Sequence, residues 1–495
     1  MSLMRFRFKL SSLVALIVLG VCAIATAQQT TFAQTGQTPN EWSRPLPVSG
    51  ALPGSWYPSV AATDNGIVSI IWTVTQNGQN TIYFSQNDGV AWSRPIDILI
   101  GGLHADLRLD GRNLLHLVYQ NDTDVFASDA PVQLAGAATN WNEPLKLSRQ
   151  AADSGDFLVA PDGTLHAVWS ERSTDDKNDL QAVYSQSKDG GQSWGTYHII
   201  GDNIADSTRI RLTRGANGAL YALWGAKPDG KNLDGIAVNL SQDDGVTWMG
   251  APHTLAFPNE PMRQPALAVD KNNALVLVYD FGVKDETFFQ VSTDAGATWS
   301  DQKPIPGLFA ANPATGNDYF ALANDSAGRV HLIAVGRKSK DQTSPGVYHL
   351  VWDGAAWSKP EELYQNGTFI EFPDIAVSNG NRLHVVFSTR DRNRLSGTPD
   401  SSYQIWYTTA ETDAPAATRA PLPTFTPQPT DTPTPLATAE PTRRPTLTPV
   451  AASSNSGGDA PAVSNPFLPI VVGVAPVLVL MAVVLVLNRV LRHRR

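Results

Sequence analysis

The sequence predicts an all-β fold, a seven-bladed β-propeller that is closed by its N-terminal strand and followed by a disordered stalk and one C-terminal transmembrane helix. Two observations support the propeller. A turn that ends in tryptophan recurs about every fifty residues, a period typical of propellers and other repeat folds. Short strands bounded by turn residues accompany each copy, which is typical of blades built from four antiparallel strands.

The recurring turn has the pattern S-x-D-x-G-x-x-W. Three copies keep it in full, Ser187–Trp194, Ser241–Trp248 and Ser292–Trp299, and Ser85–Trp92 has Asn in place of Asp. Little beyond the tryptophan survives in the remaining copies, at Trp42, Trp141 and Trp357. The Asp carboxylate is suited to accept N–H groups of its own turn, the Gly supplies a positive φ, and the Trp fills an apolar slot. We therefore predict structural roles, with metal binding as the alternative for the carboxylates, for Asp189, Trp194, Asp243, Trp248, Asp294 and Trp299.

Each repeat predicts one blade, and the ring is predicted to close where its two ends meet. The first repeat contains strands at Pro58–Thr63, Ile67–Trp72, Thr81–Ser85 and around Trp92–Ile98. The seventh repeat stops after its third strand, Gln404–Thr409, whereas Asn40–Pro45 matches the fourth-strand segment Val90–Pro95. We therefore expect the N-terminal segment to supply the missing outer strand of a propeller over residues 40–413, which removes an exposed sheet edge.

The flanking segments predict export and membrane anchoring. Residues 1–27 have the basic start, apolar run and small-x-small end of a secretory signal, and lipidation of Cys22 is the alternative. Residues 414–465, rich in Pro, Thr, Ala and Ser, predict a disordered stalk. Residues 466–488 predict a transmembrane helix and residues 489–495 a basic cytoplasmic tail, which leaves the propeller outside the cell. The formal charge of −9 argues against nucleic acid as a partner.

The repeated turn resembles the Asp-box, or BNR, repeats of the sialidase-like β-propellers, and the resemblance covers about residues 40–413. It implies that the Asp-box turns lie on one face and that a binding site lies around the central channel on the other. Sialidases, other glycosidases, sorting receptors and non-catalytic assembly factors share these boxes, so an activity does not follow from them. Two features depart from the sialidases, which have six blades and an Arg-Ile-Pro signature where this chain has Trp56-Tyr57-Pro58.

The resemblance also implies what a catalytic site would need. Three arginines would hold the substrate carboxylate, a Tyr with a Glu partner would act as nucleophile, and an Asp would act as acid and base. The loops of the binding face offer Arg209, Arg263 and Arg390, then Tyr319 with Glu371 or Glu260, and Asp106. Candidates for ligand binding are Trp56, Tyr57, Arg108 and Arg211. The alternatives are salt bridges for the arginines and capping of the channel for the two rings.

The leading hypothesis is a non-catalytic binding module for an extracellular glycan or protein. A sialidase-like glycosidase acting on extracellular glycans is the alternative, and a scaffold for other envelope proteins is a third. No cofactor is expected, because the sequence contains no nucleophile elbow, Gly-rich phosphate loop, HExxH helix or CxxC pair. Four histidines hold the same position of the second strand in four repeats, which predicts packing and not a metal site: His116, His166, His331 and His384.

Overall fold

The computed structural model describes residues 41–174, 180–195, 197–201, 210–226, 235–257, 262–281, 284–311, 319–391 and 402–423. The chain divides into two compact units, Met1–Thr426 and Pro427–Arg495, and the described residues belong to the first. The predicted signal, transmembrane helix and cytoplasmic tail lie outside them. Within the described ranges, no helix is both long enough and apolar enough to cross a membrane.

The described chain consists of successive antiparallel sheets. The first strand in the chain is β1 (Leu46–Pro47). Sheet 1 contains β2 (Ser55–Ala62), β3 (Val68–Gln76), β4 (Gln79–Asn87) and β5 (Ile96–Ile100). Sheet 2 contains β6 (Gly102–Leu109), β7 (Leu114–Asn121), β8 (Asp124–Pro131) and β9 (Leu145–Lys146), with a 3-10 helix at Ala138–Asn140. Sheet 3 contains β10 (Ala152–Val159), β11 (Leu165–Arg172), β12 (Leu180–Ser187) and β13 (His198–Gly201).

The remaining strands form three further sheets. Sheet 4 contains β14 (Arg211–Arg214), β15 (Leu220–Ala226), β16 (Gly235–Ser241) and β17 (His253–Ala256). Sheet 5 contains β18 (Met262–Val269), β19 (Leu275–Phe281), β20 (Glu286–Ser292), β21 (Lys303–Ala310), β22 (Phe320–Asn324), β23 (Val330–Arg337), β24 (Gly346–Trp352) and β25 (Glu361–Tyr364). Sheet 6 contains β26 (Phe369–Ser378), β27 (Arg382–Arg390) and β28 (Gln404–Glu411), with β1 added at its outer edge. Five sheets therefore have four strands, and sheet 5 has eight.

The sheets stand around a central channel, so the fold is an all-β propeller. Strands β2, β6, β10, β14, β18, β22 and β26 line a cavity of about 790 Å³. Because neighbouring strands are antiparallel, the turns between first and second strands and the box turns between third and fourth strands share one face, the Asp-box face. The first strands begin at the opposite face, which we call the mouth face. The second strands are packed on both sides by neighbouring sheets, and they are apolar along most of their length.

The box turns are held by their own polar groups. The Thr298 N–H donates to Asp294 Oδ1 at 2.8 Å, and the Thr298 hydroxyl donates to Oδ2 at 2.6 Å. Hydrogen bonds from the Thr298 hydroxyl and N–H lower the pKa of Asp294 to about 2. Asp189 and Asp243 accept the equivalent bonds from residues of their own turns. These bonds are those of a structural turn.

The recurring tryptophans pack between neighbouring sets of strands. Trp92 of sheet 1 lies against Tyr407 of sheet 6, with ring centroids 5.0 Å apart. Trp248 of sheet 4 lies against Tyr184 of sheet 3 at 4.9 Å. Equivalent ring contacts are made by the pairs Trp141–Phe84, Trp357–Phe289 and Trp42–His349. In each case the partner lies on the third strand of the preceding set, so the tryptophan stabilises the junction between two sets.

The predicted closure by the N-terminal segment is present. β1 pairs with β28, with Leu46 opposite Tyr407 and Pro47 opposite Trp406. Two further backbone bonds extend this pairing, from Ser43 N to Thr409 O and from Val48 N to Ile405 O, each 2.8 Å long. The indole N–H of Trp42 donates to Glu361 at 3.0 Å, which ties the segment to the strands before sheet 6.

Residues 414–423, predicted as the beginning of the disordered stalk, pack against the propeller instead. We call this segment the strap. Arg419 donates from its guanidinium to Ala62 O at 3.0 Å and to Val377 O at 3.1 Å, and its N–H donates to Asp64. The strap also donates backbone bonds to the first turns of sheets 6 and 2, and Arg419 borders the channel. It therefore lies across the Asp-box face. The amino-acid composition of residues 414–423 does not predict these contacts, because they depend on individual residues such as Arg419.

Candidate ligand-binding site at the mouth of the channel

A β-bulge recurs where the first strands begin. In sheet 1 the register passes from Trp56 opposite Thr73 to Ser59 opposite Ile71, so two residues of β2 face one residue of β3. Strands β6, β10, β18 and β26 have the same irregularity at the equivalent place. A bulge redirects the side chains beside it, and bulges are common next to binding sites.

Three of these bulges hold a residue other than glycine in the left-handed conformation. The φ angle is 49° at Tyr57, 49° at His104 and 52° at Phe372. Such a backbone costs roughly 1–3 kcal/mol per residue and is concentrated at functional sites, where the surrounding structure maintains it. The three residues belong to the adjacent sheets 1, 2 and 6, which directs their rings to one place.

The rings form a cluster that we call the aromatic mouth. The Tyr57 ring centroid lies 4.0 Å from that of Phe372, 4.1 Å from that of His104 and 4.3 Å from that of Trp56. Trp56 continues the cluster to Tyr403, at 6.3 Å. Phe372 and Tyr403 are buried, whereas Trp56, Tyr57 and His104 are half-buried. The cluster therefore presents partly exposed rings at one end of the cavity.

Below the bulges, polar side chains link each first strand to the next. The first strand is the last strand of its sheet on the channel side, so its N–H groups there need acceptors from outside the sheet. Asp374 Oδ2 accepts the Val60 N–H at 3.0 Å and the Ser59 hydroxyl at 2.7 Å. The same link joins two further junctions, Leu107 N to Ser59 Oγ at 3.0 Å and Leu212 N to Asp156 Oδ2 at 3.0 Å.

Asp106, predicted as a catalytic acid, occupies this linking position. It lies opposite Val118 of β7, as Asp156 lies opposite Val168 and Asp374 opposite Val386 in their own sheets. Asp106 is 7% exposed. Its register and burial favour a structural role between sheets over proton transfer to a substrate.

Arg108 and Arg211, predicted to bind ligand, both line the cavity. The Arg108 guanidinium lies 3.6 Å from Asp156 Oδ1 and 3.7 Å from Asp374 Oδ2, and 30% of its side chain is exposed. It also donates to Leu107 O at 2.9 Å. Its charge is therefore shared between carboxylates from two different sheets.

Arg390 and Glu371 form a buried ion pair beside the aromatic mouth. Arg390 Nη2 donates to Glu371 Oε1 at 2.7 Å, and Nη1 donates to the Tyr403 hydroxyl at 3.0 Å. The two side chains are 6% and 2% exposed. Burial raises the pKa of Glu371 to about 7, although the charge of Arg390 acts in the opposite direction. The arginine is thus matched by a carboxylate of its own sheet.

Among the other predicted catalytic residues, the structure describes the side chain of Tyr319 alone. Tyr319 is 1% exposed and lies in the apolar cluster that contains Phe320 and Ile370. Arg263 lies in β18 opposite Asp280, and only its backbone is described. Arg209 and Glu260 lie outside the described residues. Tyr319 is thus buried among apolar side chains, and Arg390 is the one member of the predicted arginine grip whose described side chain can be placed.

The residues predicted from the sequence to form the site do not include His104, Phe372, Tyr403 or Asp374. One local signal marks part of the cluster, because Tyr57-Pro58 and Phe372-Pro373 both place an aromatic residue before proline at the start of a first strand. The left-handed backbone and the contacts between the rings depend on neighbouring sheets, so a local sequence pattern does not predict them.

The four histidines of the second strands are buried and in polar contact. His331 Nδ1 lies 2.9 Å from His349 Nε2, and its Nε2 lies 3.1 Å from Asp325 Oδ2. His384 lies 2.8 Å from both the Tyr407 hydroxyl and the Ser378 hydroxyl. His116 and His166 are 2% and 0% exposed. Among the residues that the structure describes, no group of three or more His, Cys, Asp or Glu is placed to hold a metal ion.

Comparison with known proteins finds no matching family model and no matching curated protein. Solved structures match at low identity. A protein of unknown function from Dyadobacter fermentans is 13% identical with a TM-score of 0.44, over 75% of this chain and 99% of that one. The NanB sialidase from Streptococcus pneumoniae is 14% identical with a TM-score of 0.43, over 72% and 69%. The intramolecular trans-sialidase from Ruminococcus gnavus is 11% identical with a TM-score of 0.42, over 75% and 97%.

The box turns and the arrangement of sheets around one channel define the class of fold. Asp189, Asp243 and Asp294 hold equivalent turns, and the first strands of all six sheets line the same cavity. The chain has the fold of a sialidase-like β-propeller.

Proposed function

We propose that this chain is a seven-bladed propeller, anchored at the cell surface, that binds an extracellular glycan or protein without catalysis. The count of seven treats sheet 5 as two blades. Its halves are joined through two residue pairs, Phe309 opposite Arg337 and Ala310 opposite Gly336, and Trp357 packs between them on Phe289. The anchoring rests on the apolar segment 466–488 and the stalk that precedes it.

The observation that carries the binding function is the aromatic mouth. Three strained residues, Tyr57, His104 and Phe372, bring their rings together at one end of a cavity of about 790 Å³. Aromatic rings pack well on the C–H faces of sugars and on apolar side chains, and ligand sites combine such rings with a few polar groups. Backbone strain without a function would be a cost to the fold that selection could remove with glycine.

Binding assays with paired tryptophan variants test this function. We expect the full-length protein to bind members of a glycan panel in detergent, and Trp56→Ala to lose most of that binding. Trp92→Ala is the control, because Trp92 lies at the Asp-box face and packs on Tyr407. Equal loss in both variants would contradict a site at the mouth. Recovery of an envelope protein in pull-downs without any glycan binding would favour the scaffold hypothesis.

Glycoside hydrolysis is the second candidate function, and the pKa of about 7 at Glu371 favours it. A carboxyl group that titrates near neutral pH is suited to proton transfer. Turnover of fluorogenic sialosides, with a pH profile that changes near 7 and is lost in Glu371→Gln and Arg263→Ala, would support an enzyme. Binding of glycans without turnover at any pH would support the binding module.

Anchoring is tested by fractionation. We expect the full chain to remain with the membrane fraction and a chain ending at residue 465 to enter the medium, because the truncated form lacks the apolar segment. Release of both forms into the medium would contradict the anchor.

A further inference from the structure

Two arginines at the mouth end of the cavity lie beside carboxylates of the protein. Arg390 is paired with Glu371 at 2.7 Å, and both side chains are buried. Arg108 lies 3.6 Å from Asp156 and 3.7 Å from Asp374. Recognition of a carboxylate by arginine requires a guanidinium whose donors can turn to the ligand in a bidentate arrangement. If either arginine turned its donors to a ligand, a carboxylate of the protein would lose its positively charged partner.

Carboxylates outnumber guanidinium groups on the described wall of this end of the cavity. Asp106, Asp156 and Asp374 share one register position of the first strands, and Arg211 occupies the same position in sheet 4. With Arg108, the described wall has three acidic and two basic side chains. An anionic ligand placed here would meet a net repulsion, because the described wall carries one more negative charge than positive charge.

The rings above this wall need no charge on the ligand. The rings of Trp56, Tyr57 and His104 in the aromatic mouth are partly exposed, and the Trp56 indole N–H is already donated to Thr75 at 2.9 Å. The attraction to a sugar ring at such a surface comes from burial of C–H groups and dispersion.

We infer that the mouth selects uncharged sugars and discriminates against sugars that bear a carboxylate, because its aromatic rings stand above a wall on which the described carboxylates outnumber the described guanidinium groups. The inference rests on the proposed binding of glycans and states which chemical class is bound. Neutral hexose units stack on the rings and do not meet this repulsion. A sialic acid or uronic acid unit is repelled by Asp156 and Asp374, and the Arg108 guanidinium that it meets already lies beside both of them.

The test compares sugars that differ only in the acidic unit. Full-length protein in detergent is titrated with lactose, 3′-sialyllactose, cellotriose and a glucuronic-acid-capped cellotriose, at low and high NaCl. We expect each neutral sugar to bind about tenfold more tightly than its acidic counterpart. We also expect affinity for the neutral sugars to change by less than roughly twofold with salt, since screening acts on charged pairs.

Two variants test the cause of the selectivity. Asp374→Asn keeps an acceptor for the Val60 N–H but removes one charge beside Arg108, and should shift the preference toward 3′-sialyllactose by roughly fivefold. Asp156→Asn tests the same effect from the other side of Arg108 if the first variant does not fold. Asp413→Asn is the control, because it removes the same charge from an exposed side chain paired with Arg329.

The outcomes separate this inference from the proposed function. Tighter binding of the acidic sugars, or binding of either class that weakens steeply with salt, overturns the inference and leaves glycan binding intact. Unchanged selectivity in both Asn variants overturns the role of the wall. Absence of binding by all four sugars, with Trp56→Ala indistinguishable from the wild type on a wider panel, overturns the proposed function together with the inference.

Discussion

At the scale of single residues, the box glycine serves both the turn and the contact between sheets. Gly245 has a φ of +85°, and a Cβ built there would collide with the Tyr184 hydroxyl of the preceding sheet. Gly89 holds the equivalent place in the first copy of the turn, at a φ of +92°, and no described atom lies within 4 Å of such a Cβ. A comparison of variants at the two positions therefore distinguishes the cost of backbone strain from the cost of a steric clash.

Gly245→Ala should destabilise the protein more than Gly89→Ala. Both variants incur the cost of a positive φ, about 1 kcal/mol. Only the Gly245 variant must also displace Tyr184, which adds about 1–3 kcal/mol of overpacking. Urea unfolding of the two variants measures the difference, and equal midpoints would show that the sheets do not pack closely at this turn.

The buried histidines also act at this scale, because they resist protonation. Burial lowers the pKa of His384 to about 3 and that of His166 to about 4. Between the ordinary value of 6.5 and these values, the unfolded chain takes up protons that the folded chain does not. Each histidine therefore contributes stability that is complete above pH 6.5 and is lost as the pH falls, at most about 1.4 kcal/mol per pH unit.

His384→Gln should make the free energy of unfolding less dependent on pH between 6.5 and 4 than it is in the wild type. Glu371 has a raised pKa and acts in the opposite sense over part of this range, so the difference between variant and wild type is the quantity to measure, by urea unfolding at several pH values. The half-buried His253 of β17 is the matched control as His253→Gln. An unchanged slope in His384→Gln would contradict the prediction.

At the scale of elements, the strap acts as an added connection across the Asp-box face. Ser326 donates its hydroxyl to Pro415 O, Ala417 N donates to Asn379 O at 2.7 Å, and Leu422 N donates to Gly111 O at 3.3 Å. The strap thus contacts the β22–β23 turn of sheet 5 and the first turns of sheets 6 and 2, and Arg419 adds sheet 1. A pull on the C-terminal segment would be resisted by these contacts before it reached β28.

Arg419→Ala should destabilise the propeller by about 1–3 kcal/mol, because it removes the donors to Ala62 O and Val377 O. Arg382→Ala is the matched control and should cost less than about 1 kcal/mol, since Arg382 makes a partly exposed pair with Glu411 at 3.4 Å. Thermal unfolding gives the two values. Limited proteolysis should cleave the strap faster in the Arg419 variant, and equal cleavage rates would contradict its role in holding the strap.

At the scale of the whole molecule, closure makes the ring depend on both ends of the described chain. Sheet 6 has its first three strands from residues 369–411 and its outer strand from β1. Two tryptophan contacts also stabilise the closed ring. Trp42 packs on the strands before sheet 6, and Trp92 packs on sheet 6 itself.

Deletion of residues 41–48 should lower the stability by about 3 kcal/mol or more. The deletion removes the Trp42 ring and exposes the outer edge of β28, which is then free to pair with other chains. Thermal unfolding and size-exclusion chromatography measure the two effects, a lower Tm and the appearance of larger species. A monomeric variant with an unchanged Tm would show that β1 contributes little to the closure.

The sequence by itself determined the repeat, the chemistry of the box turns and the partner of the N-terminal strand. These features depend on residues that are close together in the chain or on copies that can be compared directly, such as Asn40–Pro45 with Val90–Pro95. Local hydrogen bonds and turn geometry are similar in the copies of the turn, so the sequence pattern alone predicts them. The predicted repeats also coincide with the observed sheets, except in sheet 5. There, β21 and β23 are joined by two residue pairs, so that two predicted repeats form one sheet.

Only the tertiary structure decided which side chains meet at the mouth. Tyr57 and Phe372 are far apart in the chain and touch because sheets 1 and 6 are neighbours in the closed ring. It also showed that Arg390 is bound by Glu371, that Tyr319 is buried, and that the strap is packed. Burial and pairing between distant segments depend on how the sheets are placed relative to one another, because these contacts join residues that are far apart in the chain.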